Sequence, residues 1–131
     1  MNAVRQYQQV GTQTSVIDAD PHKLIQLLFA GALERMAMAK SRITAKDFEG
    51  KNNLLNKTIE IVGGLRSFLN HEKGGELSAN LEGLYSYIER RLFEANVKND
   101  VKIIDECAHL IRTVKEGWDA IREEALSKRL V

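Results

Sequence analysis

Three features of this sequence could carry chemistry. Glu106 and His109 have the Glu-x-x-His spacing that supplies metal ligands in di-iron helical bundles. His22 could carry a phosphoryl group. Cys107 is the chain's single thiol, which would be reactive only in an exposed, electropositive setting.

A metal site at Glu106 and His109 lacks its other ligands. A di-iron bundle needs two such motifs and two further inward-facing glutamates. Neither His22 nor His71 has a glutamate three residues before it. The apolar repeat described below also places Glu106 and His109 on the outer side of a helix. We therefore predict two solvated surface residues, with no metal and no cofactor.

The other two features also have simpler interpretations. His22 directly follows Pro21 in the first turn of a predicted helix, whereas a phosphotransfer histidine is exposed in mid-helix. A histidine phosphotransfer domain is kept as an alternative, and a polar first-turn residue is the preferred reading. Cys107 falls on an apolar seam and is predicted to be a small buried residue. With no phosphate-binding glycine motif present, the chain is not expected to be an enzyme.

Composition excludes several other classes. The chain has 131 residues, 44% of them apolar, and a net charge of +1 from 19 basic and 18 acidic residues. That balance argues against nucleic-acid binding, which needs a basic face. One cysteine fits a reducing compartment. The ten-residue uncharged stretch from Leu24 to Leu33 is shorter than a bilayer span of about 20 residues. We expect a cytoplasmic protein without membrane insertion.

The chain divides into a tail and one helical domain. Residues 1–19 are polar, with scattered apolar residues that include Val4 and Tyr7, and are expected to form a mobile N-terminal tail. Residues 20–131 are expected to form the folded domain. The predicted start and stop signals of its helices are Asp20-Pro21, Thr44 with Asp47, Gly74-Gly75, and Asn99 or Asp100.

The last predicted helix carries the clearest periodicity. Its apolar residues alternate at spacings of three and four: Ile104, Cys107, Ile111, Val114, Trp118, Ile121 and Ala125. This pattern is typical of a helix that packs along a bundle seam. Four such helices joined by short loops predict an all-α fold, an antiparallel four-helix bundle.

The helices carry more apolar residues than one inward stripe requires. Leu54, Ile61 and Phe68 recur every seven residues beside the inner stripe of the second helix. The third and fourth helices add the pairs Tyr85 with Leu92 and Ile103 with Leu110. These seven residues either widen the core or line a groove that receives amphipathic helices from a partner. We select all seven as candidate partner-binding residues, with Tyr7 as a tail contact, and expect Ile61→Asp to weaken binding without unfolding the bundle.

In order and spacing, several segments resemble the FliS family of flagellar secretion chaperones. The residues that carry the resemblance are Tyr7, the run Asp20-Pro21-His22-Lys23-Leu24-Ile25-Gln26-Leu27-Leu28-Phe29-Ala30-Gly31-Ala32-Leu33, Gly74-Gly75-Glu76, Asn80-Leu81, Leu84-Tyr85, Ala95-Asn96, Asn99-Asp100 and Trp118. Together they cover nearly the whole chain.

The resemblance implies a cytoplasmic chaperone without enzymatic activity or cofactor. Such a protein binds the C-terminal segment of flagellin, prevents premature polymerisation and assists delivery to the flagellar type III export gate. A generic adaptor for another helical partner stays open beside it. A homodimer of the unliganded chain also stays open, because self-association can bury an empty apolar groove.

Overall fold

A computed structural model describes residues 20–128 of the chain, with side-chain surroundings through residue 121. Four helices form this part: α1 (Pro21–Thr44), α2 (Phe48–Ser67), α3 (His71–Lys98) and α4 (Val101–Lys128). No strand occurs between residues 20 and 128, which confirms the all-α prediction. The predicted tail, residues 1–19, and its Tyr7 lie outside the described residues.

Aspartate side chains cap the first two helices. The carboxylate of Asp20 accepts a hydrogen bond from the Lys23 backbone N–H at 2.7 Å, and Pro21 occupies the first turn, as predicted. The second helix is capped by Asp47, which accepts from the Gly50 N–H at 3.0 Å. Thr44 is instead the last residue of α1, so the predicted pairing of Thr44 with Asp47 as a cap is wrong.

The glycine pair lies inside the third helix instead of preceding it. The helix begins at His71 and is kinked at Gly75, whose φ of 50° and ψ of −124° are open to glycine but strained for other residues. The Ser78 hydroxyl donates to the Asn70 carbonyl at 3.0 Å across the kink. A Cβ at Gly74 would overlap that hydroxyl. The bend therefore needs glycine at both positions, at Gly75 for its backbone conformation and at Gly74 for space.

Two long-range contacts fix the direction of α4 relative to α1. Near one end of the bundle the Gln26 amide donates to the Asp119 carboxylate at 2.5 Å. Near the other end, Lys40 pairs with Asp105 at 2.5 Å. Residue numbers rise along α1 as they fall along α4, so the two helices are antiparallel. Each helix packs against its sequence neighbours, and α1 also packs against α4, which closes the four-helix bundle.

The core is complete at one end of the bundle and open at the other. On α4, Ile104, Cys107 and Ile111 are fully buried. The same seam then becomes half-buried at Val114, and Ile121 is 49% exposed. The apolar seam thus continues beyond the last turn that residues 20–121 cover. No described helix is both long enough and apolar enough to cross a membrane.

Candidate partner-binding groove

Four of the seven stripe residues lie in the core. Ile61, Tyr85, Leu92 and Ile103 are each at most 6% exposed, so the expectation that they line an open groove is wrong. Each helix of a closed bundle packs against two neighbours, which buries a face wider than one stripe. Their part in partner binding stays an untested prediction.

The other three stripe residues are half-buried. Leu54 lies in α2, Phe68 follows its last turn, and Leu110 lies in α4. All three pack against the buried cluster while keeping part of their surface in solvent. Of these, Leu110 lies beside the part of the bundle where the core is open.

Side-chain contacts set the register between α3 and α4. The Tyr87 hydroxyl donates to the Glu106 carboxylate at 2.6 Å, and the Arg91 guanidinium donates to the same group at 2.9 Å. The helices are antiparallel, since only Asn99 and Asp100 connect the end of α3 to the start of α4. The Cys107 thiol faces the Ile88 carbonyl at 3.9 Å. Toward the N-terminus of α3 and the C-terminus of α4 from these contacts, apolar residues of the two helices lie opposite one another.

We call this surface the α3–α4 groove. On α3, residues 77 and 84 lie on the same side of the helix as Tyr87, and residue 81 lies further round toward the buried face. On α4, residues 110, 114 and 121 follow Glu106 on the side facing α3. The groove is lined by Leu77, Leu81, Leu84, Leu110, Val114 and Ile121.

Exposure rises along the groove toward the open end. Leu84 and Leu110 are half-buried, as are Leu81 and Val114. Leu77 is 62% exposed. A Cβ placed on Gly117 would meet no atom of the described residues within 4 Å, so these residues leave free space on the α4 side of the groove. Apolar rows on two antiparallel helices, open at one end, form a surface suited to an amphipathic helix.

A charged network closes the other end of the groove. Hydrogen bonds from Tyr87 and Arg91 lower the pKa of the Glu106 carboxyl. The same contact raises the pKa of Tyr87. Glu94 bridges Arg91 at 2.6 Å and Lys98 at 2.7 Å, and its pKa is lowered by these contacts. The network holds the two helices in register where the apolar rows end.

The surroundings of His22 are not evident from the sequence. Its side chain is only 4% exposed and stacks on Trp118, with ring centroids 4.2 Å apart and planes 13° apart. The Trp118 indole N–H also donates to the His22 carbonyl at 3.2 Å. His22 lies in the first turn of α1, as predicted, but its burial was not predicted. Burial also removes the exposed imidazole that the phosphotransfer alternative requires.

The other reactive candidates occupy ordinary structural positions. Glu106 lies in the network between α3 and α4, and the His109 side chain is exposed. Within the described part of the chain, no three His, Cys, Asp or Glu residues cluster as metal ligands would. Cys107 is fully buried, and burial raises its thiol pKa to about 12, which confirms the prediction of a buried seam residue.

Comparison with known proteins gives concordant results. The family described as "Flagellar protein FliS" matches residues 2–125. The chain is 49% identical over 121 residues to flagellar secretion chaperone FliSB of Pseudomonas aeruginosa, covering 92% of this chain and 96% of that protein. It is 38% identical over 125 residues to flagellar secretion chaperone FliS of Salmonella typhimurium, covering 95% and 93%. A crystal structure of a bacterial flagellar chaperone has the same fold, with a TM-score of 0.74, 20% identity and coverage of 93% and 96%.

Proposed function

Because this chain belongs to the FliS family, which comprises flagellar secretion chaperones and not enzymes, we propose that it binds the C-terminal segment of flagellin in the cytoplasm. Bound flagellin is kept from polymerising prematurely and is passed to the flagellar type III export gate. The observation that carries the proposal is the α3–α4 groove, whose apolar surface continues beyond the closed core.

The groove suits a partner that folds as it binds. Ordering a disordered segment costs about 2–5 kcal/mol, so the interface must bury enough apolar surface to exceed that cost. Burial contributes about 25 cal/mol for each Å² of apolar surface. Residues on α3 and α4 at helical spacing give a bound helix an apolar partner on each side along its length.

Two exposed groove residues provide a direct test. Leu77→Asp and Ile121→Asp each place a charge in the groove at a side chain that is 62% or 49% exposed, so the bundle stays folded. We expect each variant to bind flagellin at least about tenfold more weakly, which corresponds to about 1.4 kcal/mol. Calorimetric titration with purified flagellin measures the affinity.

Val97→Asp is the matched control. Val97 is 68% exposed and lies in α3, but in its C-terminal turns, beyond the charged network and away from the groove. The control should bind flagellin like the unmodified chain. Equal loss of affinity in all three variants, or no loss at Leu77 and Ile121, would contradict the proposed site.

A further inference from the structure

A second depression lies on a different face of the bundle, between α1 and α4. Its volume is about 280 Å³. Met36, which is fully buried, forms its floor, and Leu33 lines one side. Ala37 and Ala108 face each other across it, and Arg112 stands at its edge.

The antiparallel register explains the free space. Gln26 opposite Asp119 connects the two helices beyond one end of the depression, and Lys40 opposite Asp105, which both line it, connects them at the other end. Between those ties, the same register pairs Ala37 with Ala108. Two methyl groups facing one another cannot fill the gap between two helices, so room remains for a side chain from outside.

The charges around this depression leave one cation without a partner. Lys40 is paired with Asp105, and Lys115 with Asp119 at 2.6 Å. Arg112 is exposed and forms no ion pair with any residue from 20 to 121. The recess has apolar walls and also contains the Lys40–Asp105 ion pair. Beside it stands an exposed guanidinium that has no ion-pair partner among residues 20–121, and this combination is complementary to an apolar side chain next to a carboxylate.

We propose that this surface, the α1–α4 depression, docks an acidic amphipathic helix of a partner protein. An apolar side chain of that helix enters between Ala37 and Ala108, and a neighbouring carboxylate pairs with Arg112. The site is separate from the α3–α4 groove, since Ala108 and Arg112 face α1 whereas Leu110 and Val114 face α3. Occupation of one surface leaves the other accessible.

Synthetic helical peptides test the chemistry directly. The probe is an alanine-based helix of about 15 residues with leucines and glutamates on one face. Its counterpart carries lysines in place of the glutamates. Titrated into the isotopically labelled full chain, the glutamate peptide should shift the backbone amide resonances of Ala37, Ala108 and Arg112. The lysine peptide should bind about fivefold more weakly, as expected for a change of one exposed charge pair.

Two variants distinguish the contribution of the recess to peptide binding from that of the Arg112 charge. Arg112→Glu should reverse the preference between the two peptides. Ala37→Trp should fill the recess and weaken binding of the glutamate peptide about tenfold, whereas Ala79→Trp, at an exposed site on α3, should leave it unchanged. Equal affinity for both peptides, no reversal by Arg112→Glu, resonance shifts confined to Leu81 and Val114, or no shifts at millimolar peptide would each overturn the proposal.

Discussion

Cys107 and Tyr85 are titratable side chains held in the core, at 0% and 3% exposure. Burial raises the pKa of each to about 12, from ordinary values of 9.0 for the thiol and 10.0 for the phenol. A group whose pKa is raised by folding keeps its proton in the native state after the unfolded chain has lost it. The native state is therefore progressively disfavoured as pH rises between the two values.

This linkage predicts a chain that is destabilised by alkali. The free energy of unfolding should be level near neutral pH and fall above about pH 9, by up to about 1.4 kcal/mol per pH unit for each group. In Tyr85→Phe the fall above about pH 10 should be smaller. Urea unfolding at a series of pH values measures both slopes.

Comparing the unmodified chain with Tyr85→Phe isolates the contribution of Tyr85 to the pH dependence of stability. Lys51 titrates in the same range with the opposite effect, because burial lowers its pKa. Its contribution is common to both proteins and cancels in the difference. Parallel stability curves for the two proteins above about pH 10 would show that Tyr85 ionises as readily in the fold as outside it.

Individual residues were predictable from sequence where local pattern decided their surroundings. Cys107 was placed in the core because it falls on the seam of α4. His22 was predicted in the correct turn, but its burial was not predictable because it depends on Trp118, which lies 96 residues away in the sequence. No local sequence pattern near His22 predicts that its ring stacks on a residue of another helix.

At the scale of the helices, the kink in α3 requires a glycine at position 75. Gly75→Ala places a Cβ on a backbone with a positive φ of 50°, although no atom lies near enough to obstruct it. The strain should lower the free energy of unfolding by about 1–3 kcal/mol. Thermal or urea unfolding followed by circular dichroism measures the loss.

Gly83→Ala is the control within the same helix. A Cβ at Gly83 also meets no atom within 4 Å, but this glycine has ordinary helical geometry. Alanine there should raise the free energy of unfolding by about 0.5–1 kcal/mol. If Gly75→Ala stabilised the chain to the same extent, the kink would not depend on glycine.

Helix boundaries were predictable where one residue sets them. Asp20 and Pro21 begin α1 as expected, because a capping carboxylate followed by proline is a local signal. The start of α3 was placed too late, because a glycine pair normally ends a helix. Here the hydrogen bond from the Ser78 hydroxyl to the Asn70 carbonyl connects the residues on the two sides of the bend.

For the whole molecule, the distinction between core and groove predicts opposite outcomes for two similar substitutions. Ile61 is 2% exposed, so Ile61→Asp buries an unpaired charge and should unfold the bundle at room temperature, contrary to the expectation from its stripe. Leu77→Asp, at a residue that is 62% exposed, should keep the helical signal and change stability by about 0.5 kcal/mol or less. Circular dichroism melts compare them. A folded Ile61→Asp variant would place Ile61 outside the core.

The four-helix bundle followed from apolar periodicity, because helices with an apolar face must pack that face against one another. The surface available to a partner did not follow. Which of two adjacent stripes is covered depends on the positions of neighbouring helices, and periodicity within one helix contains no such information. Ile121 was not predicted as a groove residue because it belongs to the α4 seam, whose earlier members are buried.

The most direct test of the central claim is calorimetric titration of the unmodified chain with flagellin, both full length and lacking its C-terminal segment. We predict binding only when the segment is present, with a large negative change in heat capacity from apolar burial. Equal binding of the two forms, or binding of neither, would contradict it.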